Sequence, residues 1–350
     1  MHLSDFDFDL PPSLIAQEPR PRGRSRLLVL RRATASWDES TIDRLPDLLE
    51  PADLVVVNDT RVFPARLLGH RDPSGGAVEC LLLERLDDTH WHALVHPGHK
   101  LKPGARMVFE DPERSPGVRL RGEVVERRFF GRRLVRFDAE SAASLDGIVD
   151  RIGHVPLPPY IHRSDTAADR DRYQAIYARV RGSIAAPTAG LHFDDAILAS
   201  LDARGIRRTA ITLHVGYGTF KPVRTDEIED HRVDAEPYEI PPAAALEIDR
   251  AKERAGRVVA VGTTTTRALE SAAAGDGRVT PGAGATELFI HPGYRFQVVD
   301  ALVTNFHLPR SSLLMLVAAF AGRELVLDAY RDAVRRGFHF YSYGDAMLIL

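Results

Sequence analysis

The chain has 350 residues, 44% of them hydrophobic and 27% charged, and a formal net charge of -3. These values exclude a disordered chain and a globally basic polyanion binder, and they leave room for about two domains. A single cysteine, Cys80, excludes an intrachain disulfide and fits a reducing compartment. The acidic, alternating start (Met1 to Leu10) is no secretory leader, and the longest apolar run, 313 to 321, is too short to span a bilayer. The expectation is a soluble cytoplasmic protein.

Leu27 to Leu30 is a short apolar strand between arginines. Asp53 to Val57 is a β-branched run that predicts a buried strand, ending in the polar cluster Asn58-Asp59-Thr60-Arg61. From about residue 65 to 138 the texture changes. Short runs (78–83, 91–95, 106–109, 118–125, 133–137) are separated by Gly, Pro and Asp turns, which predicts a small sandwich or barrel. Residues 140–153 read as a helix. After Pro156-Leu-Pro-Pro-Tyr160 the chain returns to α/β texture. Helices are predicted over 194–204, 242–255, 268–274, 312–321 and 324–336. Strands are predicted over 208–213, 257–261 and 297–303. The fold class is therefore α/β: a discontinuous α/β domain with a mixed sheet (1–65 and 151–350) and an inserted small antiparallel β-barrel domain (66–150).

Two segments lack any helix period. Gly182 to Phe193 sets His192 among Ala, Pro, Thr and Gly190. Thr212 to Lys221 holds His214, Gly216, Gly218 and Thr219. Glycine lets backbone approach a ligand, and histidine titrates near neutrality, so both segments read as walls of a ligand pocket. Gly262-Thr263-Thr264-Thr265-Thr266-Arg267 joins a strand to a helix; ordinary threonine capping and an anion site both fit it. Asn58 to Arg61 fits either a self-bonded turn or a polar site, with Arg61 or Arg66 as its cation. Asn305 and His307 share a face if that segment is extended. His90, His92, His96 and His99 read as surface or barrel-rim residues rather than a metal site. Arg127, Arg128, Arg132, Arg133 and Arg136, with Phe129 and Phe130, form a basic hairpin that suits either solvent or nucleic acid.

Over nearly its full length the chain resembles the S-adenosylmethionine:tRNA ribosyltransferase-isomerase family of queuosine biosynthesis. The resemblance rests on Ser4-Asp5-Phe6, Leu14-Ile-Ala-Gln17, Asn58-Asp-Thr-Arg-Val62, Pro64-Ala-Arg66 and Pro156-Leu-Pro-Pro-Tyr160. It continues through Ala185 to Phe193, Thr212 to Gly216, Gly262-Thr-Thr, Thr304 to Pro309, Leu313 to Leu316, Ala319 to Gly322 and Gly344 to Met347. Tyr217 stands where Leu is expected, and Thr265 where Ser is usual. The resemblance implies an α/β domain carrying an inserted β-barrel. It implies S-adenosylmethionine as a ribosyl donor; no permanently bound cofactor and no metal are expected. The acceptor would be tRNA carrying 7-aminomethyl-7-deazaguanine in the anticodon, and the products epoxyqueuosine-tRNA, adenine and methionine. A monomer with no membrane partner is expected.

That reaction needs a base for the carbon beside the sulfonium, an acid for departing adenine, and a neutral amine. By chemistry and position, His192 and His214 are the acid–base candidates, and Asp59 faces the cation. Gly190, Gly216, Gly218, Thr219, Gly262, Thr263, Thr264 and Arg267 are candidates for the donor. Arg61, Arg66, Arg128, Arg132, Asn305 and His307 are candidates for tRNA. A binding protein without catalysis, a metal hydrolase at His90–His99 and a methyltransferase are the rival readings.

Overall fold

The computed structural model describes residues 1–139, 144–220 and 222–350. Lys221 and the first residues of the helix expected over 140–153 lie outside them, as does the side chain of Phe130. In chain order the strands are β1 (Arg26–Arg31), β2 (Ser36–Thr41), β3 (Leu54–Asn58), β4 (Thr60–Val62), β5 (Arg66–Asp72) and β6 (Ala77–Arg85). They continue with β7 (His90–His96), β8 (Arg106–Glu110), β9 (Arg119–Arg127), β10 (Arg132–Ala139), β11 (Val180–Ser183) and β12 (Arg207–Leu213). The last five are β13 (Glu236–Ile240), β14 (Val258–Val261), β15 (Gly282–Thr286), β16 (Ala301–Asn305) and β17 (Ala346–Ile349).

Two compact units emerge: residues 1–61, 159–163 and 172–350, and residues 62–158 and 164–171. The first holds a nine-stranded mixed sheet in the order β15-β13-β12-β3-β14-β16-β17-β1-β2. The central strands β12, β3, β14 and β16 run parallel. β17 is antiparallel to β16, and β1 is parallel to β17. Successive residues in these strands feed opposite cores, the period-2 consequence of a pleated backbone. Leu54, Val56, Val258, Ala260 and Leu302 face one hydrophobic cluster, and Val55, Val57, Val259, Val261 and Val303 the other. Both faces being buried is why these strands read as unbroken apolar runs. Helices Pro242–Glu253, Ser312–Ala321 and Arg323–Arg335 cover the first face, and Asp195–Ala203 the second. Asp194 and Ser311 start their helices by accepting from Ile197 N (2.8 Å) and Leu314 N (3.2 Å).

The second unit is a closed antiparallel barrel in the order β10-β7-β6-β5-β8-β9. Its interior is filled by alternate residues, among them Cys80, Leu82, Trp91, Met107, Phe109, Val124, Val135 and Phe137. Helix Leu145–Ile152 is capped by Ser144, which accepts from Gly147 N. Sheet, barrel and helices give the fold class expected from the sequence. No helix among the described residues is long and apolar enough to cross a membrane.

Two elements differ from expectation. The helix expected from Ala268 begins at Thr263 and ends at Ser271. Threonine is a modest helix former, but Thr265 and Thr266 return their hydroxyls to the carbonyls of Val261 (2.7 Å) and Gly262 (3.1 Å), so the polar run becomes the first turn. The strand expected over 297–303 is shifted to Ala301–Asn305. The preceding amides of Gln297, Val298 and Val299 instead bind the buried carboxylate of Glu270 at 2.8–3.0 Å.

Candidate active site at the ends of the parallel strands

Because β3, β12, β14 and β16 are parallel, their carboxyl ends share one edge of the sheet. Asn58-Asp59, His214, Gly262 to Thr264 and Asn305 all stand there. The reversal at β17 and β1 brings Asp345 and Ser25 to the same edge, since Ala346 pairs with both Asn305 and Leu27. An open α/β sheet binds ligands outside the carboxyl ends of its strands, where strand order reverses.

Asn58 ties this edge together. Its Oδ1 accepts from Thr60 N (3.1 Å) and Leu213 N (3.0 Å), and its Nδ2 donates to Leu213 O (2.9 Å). The turn chemistry and the polar site, open alternatives in the sequence, coexist here. Asp59 is buried. It accepts from Thr212 Oγ1 at 2.6 Å and from Arg179 Nη2 at 2.7 Å, while the Arg179 side chain stays 73% exposed.

His214 is half-buried, and its Nδ1 lies 2.8 Å from Thr60 Oγ1. Thr60 also reaches the carbonyl of Val180 at 3.5 Å, which can only accept. When Thr60 donates there, Nδ1 carries the ring proton and Nε2 keeps an open lone pair. Nε2 has no partner among the described residues. Desolvation lowers the pKa of this histidine, with the Asp59 charge acting in the opposite direction. The ring lies flat against Gly182, where a Cβ would come within 2.6–2.7 Å of three ring atoms. Only glycine permits that approach.

His192 is held differently. It is buried, with Nδ1 2.7 Å from Ser25 Oγ and Nε2 3.0 Å from Asn305 Nδ2. The same Nδ2 donates to the carbonyl of Tyr341 at 3.0 Å, which fixes the amide orientation. Asn305 Oδ1 accepts from Thr188 Oγ1 at 3.1 Å. Nε2 of His192 must therefore accept, and Nδ1–H must donate to Ser25. Burial pushes the His192 pKa down to about 4, so the ring is neutral. The lone pair sought for acid–base work is occupied. A cleft opens beside it, lined by Arg20, Ser25, Arg172, His192, Ser342 and Tyr343.

The glycine loop meets a group that the sequence reading missed. Buried Glu236 accepts from Gly216 N (2.9 Å) and Thr219 Oγ1 (3.1 Å), and its other oxygen pairs with Arg267 Nη1 at 2.5 Å. Arg267 Nε binds Leu288 O at 3.0 Å, and its buried Nη2 has no partner among the described residues. Gly218 sits beside Asp234. Gly190 is buried in the turn Thr188–His192, and Gly262, at φ +95°, opens the helix that starts at Thr263. Thr263 and Thr264 are buried in its first turn, with Thr264 Oγ1 3.4 Å from Asn58 Nδ2.

The residues assigned to tRNA separate. Asn305 and His307 are 1% and 4% exposed, and His307 turns back to Thr304 (3.0 Å) instead of sharing a face with Asn305. Burial lowers the His307 pKa to about 3. Arg61 is exposed. In the barrel unit, Arg66 pairs with Glu79 (2.8 Å), Arg128 is exposed and pairs with Glu126 (2.8 Å), and Arg132 is half-buried at the start of β10. Phe129, at the hairpin tip, is 86% exposed. His90 pairs with Asp87 and His92 with Glu84, both at 3.0 Å. Among the described residues no three His, Cys, Asp or Glu side chains gather in a metal-holding group.

The fold is an α/β sheet with a histidine-bearing strand-end site and a barrel unit, and comparison with known proteins gives the class as transferase. The family model described as Queuosine biosynthesis protein matches residues 3–349, and the chain belongs to that family. It is 51% identical to the S-adenosylmethionine:tRNA ribosyltransferase-isomerase of Symbiobacterium thermophilum over 100% of both chains. It is 54% identical to the protein of that name from an Anaeromyxobacter species, over 100% of this chain and 99% of the relative. Among solved structures, the S-adenosylmethionine tRNA ribosyltransferase of Thermotoga maritima aligns with a TM-score of 0.56 and 38% identity, over 99% of this chain and 100% of that one.

Proposed function

We propose that the protein moves and isomerises the ribosyl group of S-adenosylmethionine onto the aminomethyl group of 7-aminomethyl-7-deazaguanine in a tRNA anticodon. The products are epoxyqueuosine-tRNA, adenine and methionine. The observation that carries this reading is a neutral histidine with an open nitrogen beside a buried carboxylate, at the strand ends of a chain whose full-length relatives bear that activity's name.

In this reading His214 Nε2 takes the proton from the ribose carbon beside the sulfonium, whose charge acidifies it. The same imidazolium can then give its proton to a ring nitrogen of departing adenine. Asp59 faces the sulfonium or the acceptor ammonium; exposed Arg179 is the cation that either would displace. The Gly216 to Thr219 loop, braced by Glu236, lies along the adenosine. The first turn at Gly262 to Thr264 and Nη2 of Arg267 receive the methionine end. His192, with both nitrogens engaged, is a positioning residue. Asn305 and His307 brace the site from inside, which leaves Arg61, Arg66, Arg128 and Arg132 as the phosphate contacts.

We further read residues 66–150 as an inserted domain, the remainder as the catalytic domain, and the enzyme as a cytoplasmic monomer without a resident cofactor. Elution as a single 38.8 kDa species would check the oligomeric state. The activity test mixes protein, S-adenosylmethionine and tRNA bearing the aminomethyl-deazaguanine base. Adenine and methionine should appear in equal amounts, and only with modified tRNA. S-adenosylhomocysteine in their place would mean methyl transfer and overturn the reading.

A further inference from the structure

The hydrogen-bond chain around His192 has a direction. Thr188 donates to Asn305, Asn305 to His192, and His192 to Ser25. Ser25 Oγ is thereby an acceptor on its inner side, and its own proton is left over. The residue is 5% exposed, and no second partner for its hydroxyl exists among the described residues. It borders the cleft with Arg20, Arg172, Ser342 and Tyr343. Inside a protein, an unspent hydroxyl proton is a donor waiting for an acceptor.

The charges of the cleft point to the same chemistry. Arg20 is neutralised by buried Asp345 at 2.8 Å. Ser342 is engaged with the Tyr160 hydroxyl. Arg172 bonds only to the carbonyl of Arg20 and has no carboxylate partner among the described residues. A guanidinium without a counterion and an inward-fixed hydroxyl, on one small cleft, are the two halves of an oxyanion site.

We propose that this cleft binds an oxyanion, with the Ser25 hydroxyl donating to it and Arg172 supplying the charge. The proposal rests on the ribosyl-transfer reading, which contains two such groups: an RNA phosphodiester and the carboxylate of the donor. Arg267 already faces the carboxylate in that reading, so the phosphate is the expected source. His192 would then act on the reaction by aiming the Ser25 proton, which explains why its own nitrogens are both occupied.

The test measures dissociation constants of full-length wild type, Ser25→Ala and Arg172→Gln for modified tRNA, S-adenosylmethionine and decarboxylated S-adenosylmethionine. Thermal midpoints confirm folding. Loss of a hydrogen bond to a charged group should weaken the affected ligand by roughly tenfold or more. If the ligand is phosphate, both variants weaken tRNA. Arg172→Gln should also flatten the dependence of log Kd on log salt by about one unit, which a purely structural defect would not do. If the ligand is carboxylate, both variants weaken S-adenosylmethionine and leave its decarboxylated form unaffected. Unchanged affinities for all three in folded variants would overturn the oxyanion site while leaving the reaction standing. Wild type that binds neither tRNA nor S-adenosylmethionine would overturn the reaction reading and this inference together.

Discussion

Gly182→Ala isolates the role of His214 without touching it. An added Cβ would stand 2.6 Å from Cε1 and 2.7 Å from both ring nitrogens, whereas ordinary contact begins at 3.4 Å. The ring must give by about 0.8 Å or swing away, and either movement disturbs the 2.8 Å contact with Thr60. Because His214 is half-buried, the ring can escape toward solvent, while alanine at the φ of +158° held by Gly182 adds backbone strain of about 1–3 kcal/mol that thermal midpoints read separately. A displacement of about 1 Å at a reacting group costs on the order of 100-fold in rate. Single-turnover adenine release should therefore fall by about that factor in Gly182→Ala. In a His214→Ala background the same substitution should cost almost no further rate, because the atoms it strikes are gone, while the backbone strain is the same in both backgrounds. An equal loss in both backgrounds would refute the reasoning and make Gly182 important for another cause.

Further outcomes follow from the buried groups. The pKa values of His192 and His307 are depressed to about 4 and about 3. As pH falls below about 6.5, the unfolded chain takes up protons that the folded protein refuses, so stability declines until pH passes the folded value. Each histidine should cost roughly 2 kcal/mol between pH 7 and pH 5, and His192→Gln should remove about half of the combined loss in urea midpoints. Asn305→Asp replaces the donor to His192 Nε2 with an acceptor; histidine 15N spectra should show the ring proton moving to Nε2 and the His192 pKa rising. Glu236→Gln leaves Arg267 buried without its counterion and should destabilise the fold by about 3–5 kcal/mol in denaturant titrations.

The sheet and barrel were legible because burial writes itself into periodicity. β3 and β14 are buried on both faces and read as apolar runs, while the barrel strands alternate. The edges were not legible. β2 (Ser36–Thr41) is largely exposed and polar, and β15 (Gly-Ala-Gly-Ala-Thr) is built from weak strand formers that pairing with β13 holds in place. For the site, the small-residue segments pointed to His192, His214 and the Gly262 turn. Ser25, Arg172 and Glu236 carry no local signal. Ser25 lies within a run of arginines, 167 residues from the histidine that orients it, and only the strand reversal at β17 brings the two together. Asn305 and His307 were noticed as a pair, but their burial turns them toward His192 and Thr304.

The most direct test uses S-adenosylmethionine deuterated on the ribose carbon beside the sulfonium. Label lost to water and adenine released are followed together with modified tRNA, for wild type and His214→Gln. The account predicts that wild type loses label in step with adenine, and that the variant slows both by about 100-fold or more. A folded His214→Gln protein that washes out label and releases adenine at the wild-type rate would contradict it.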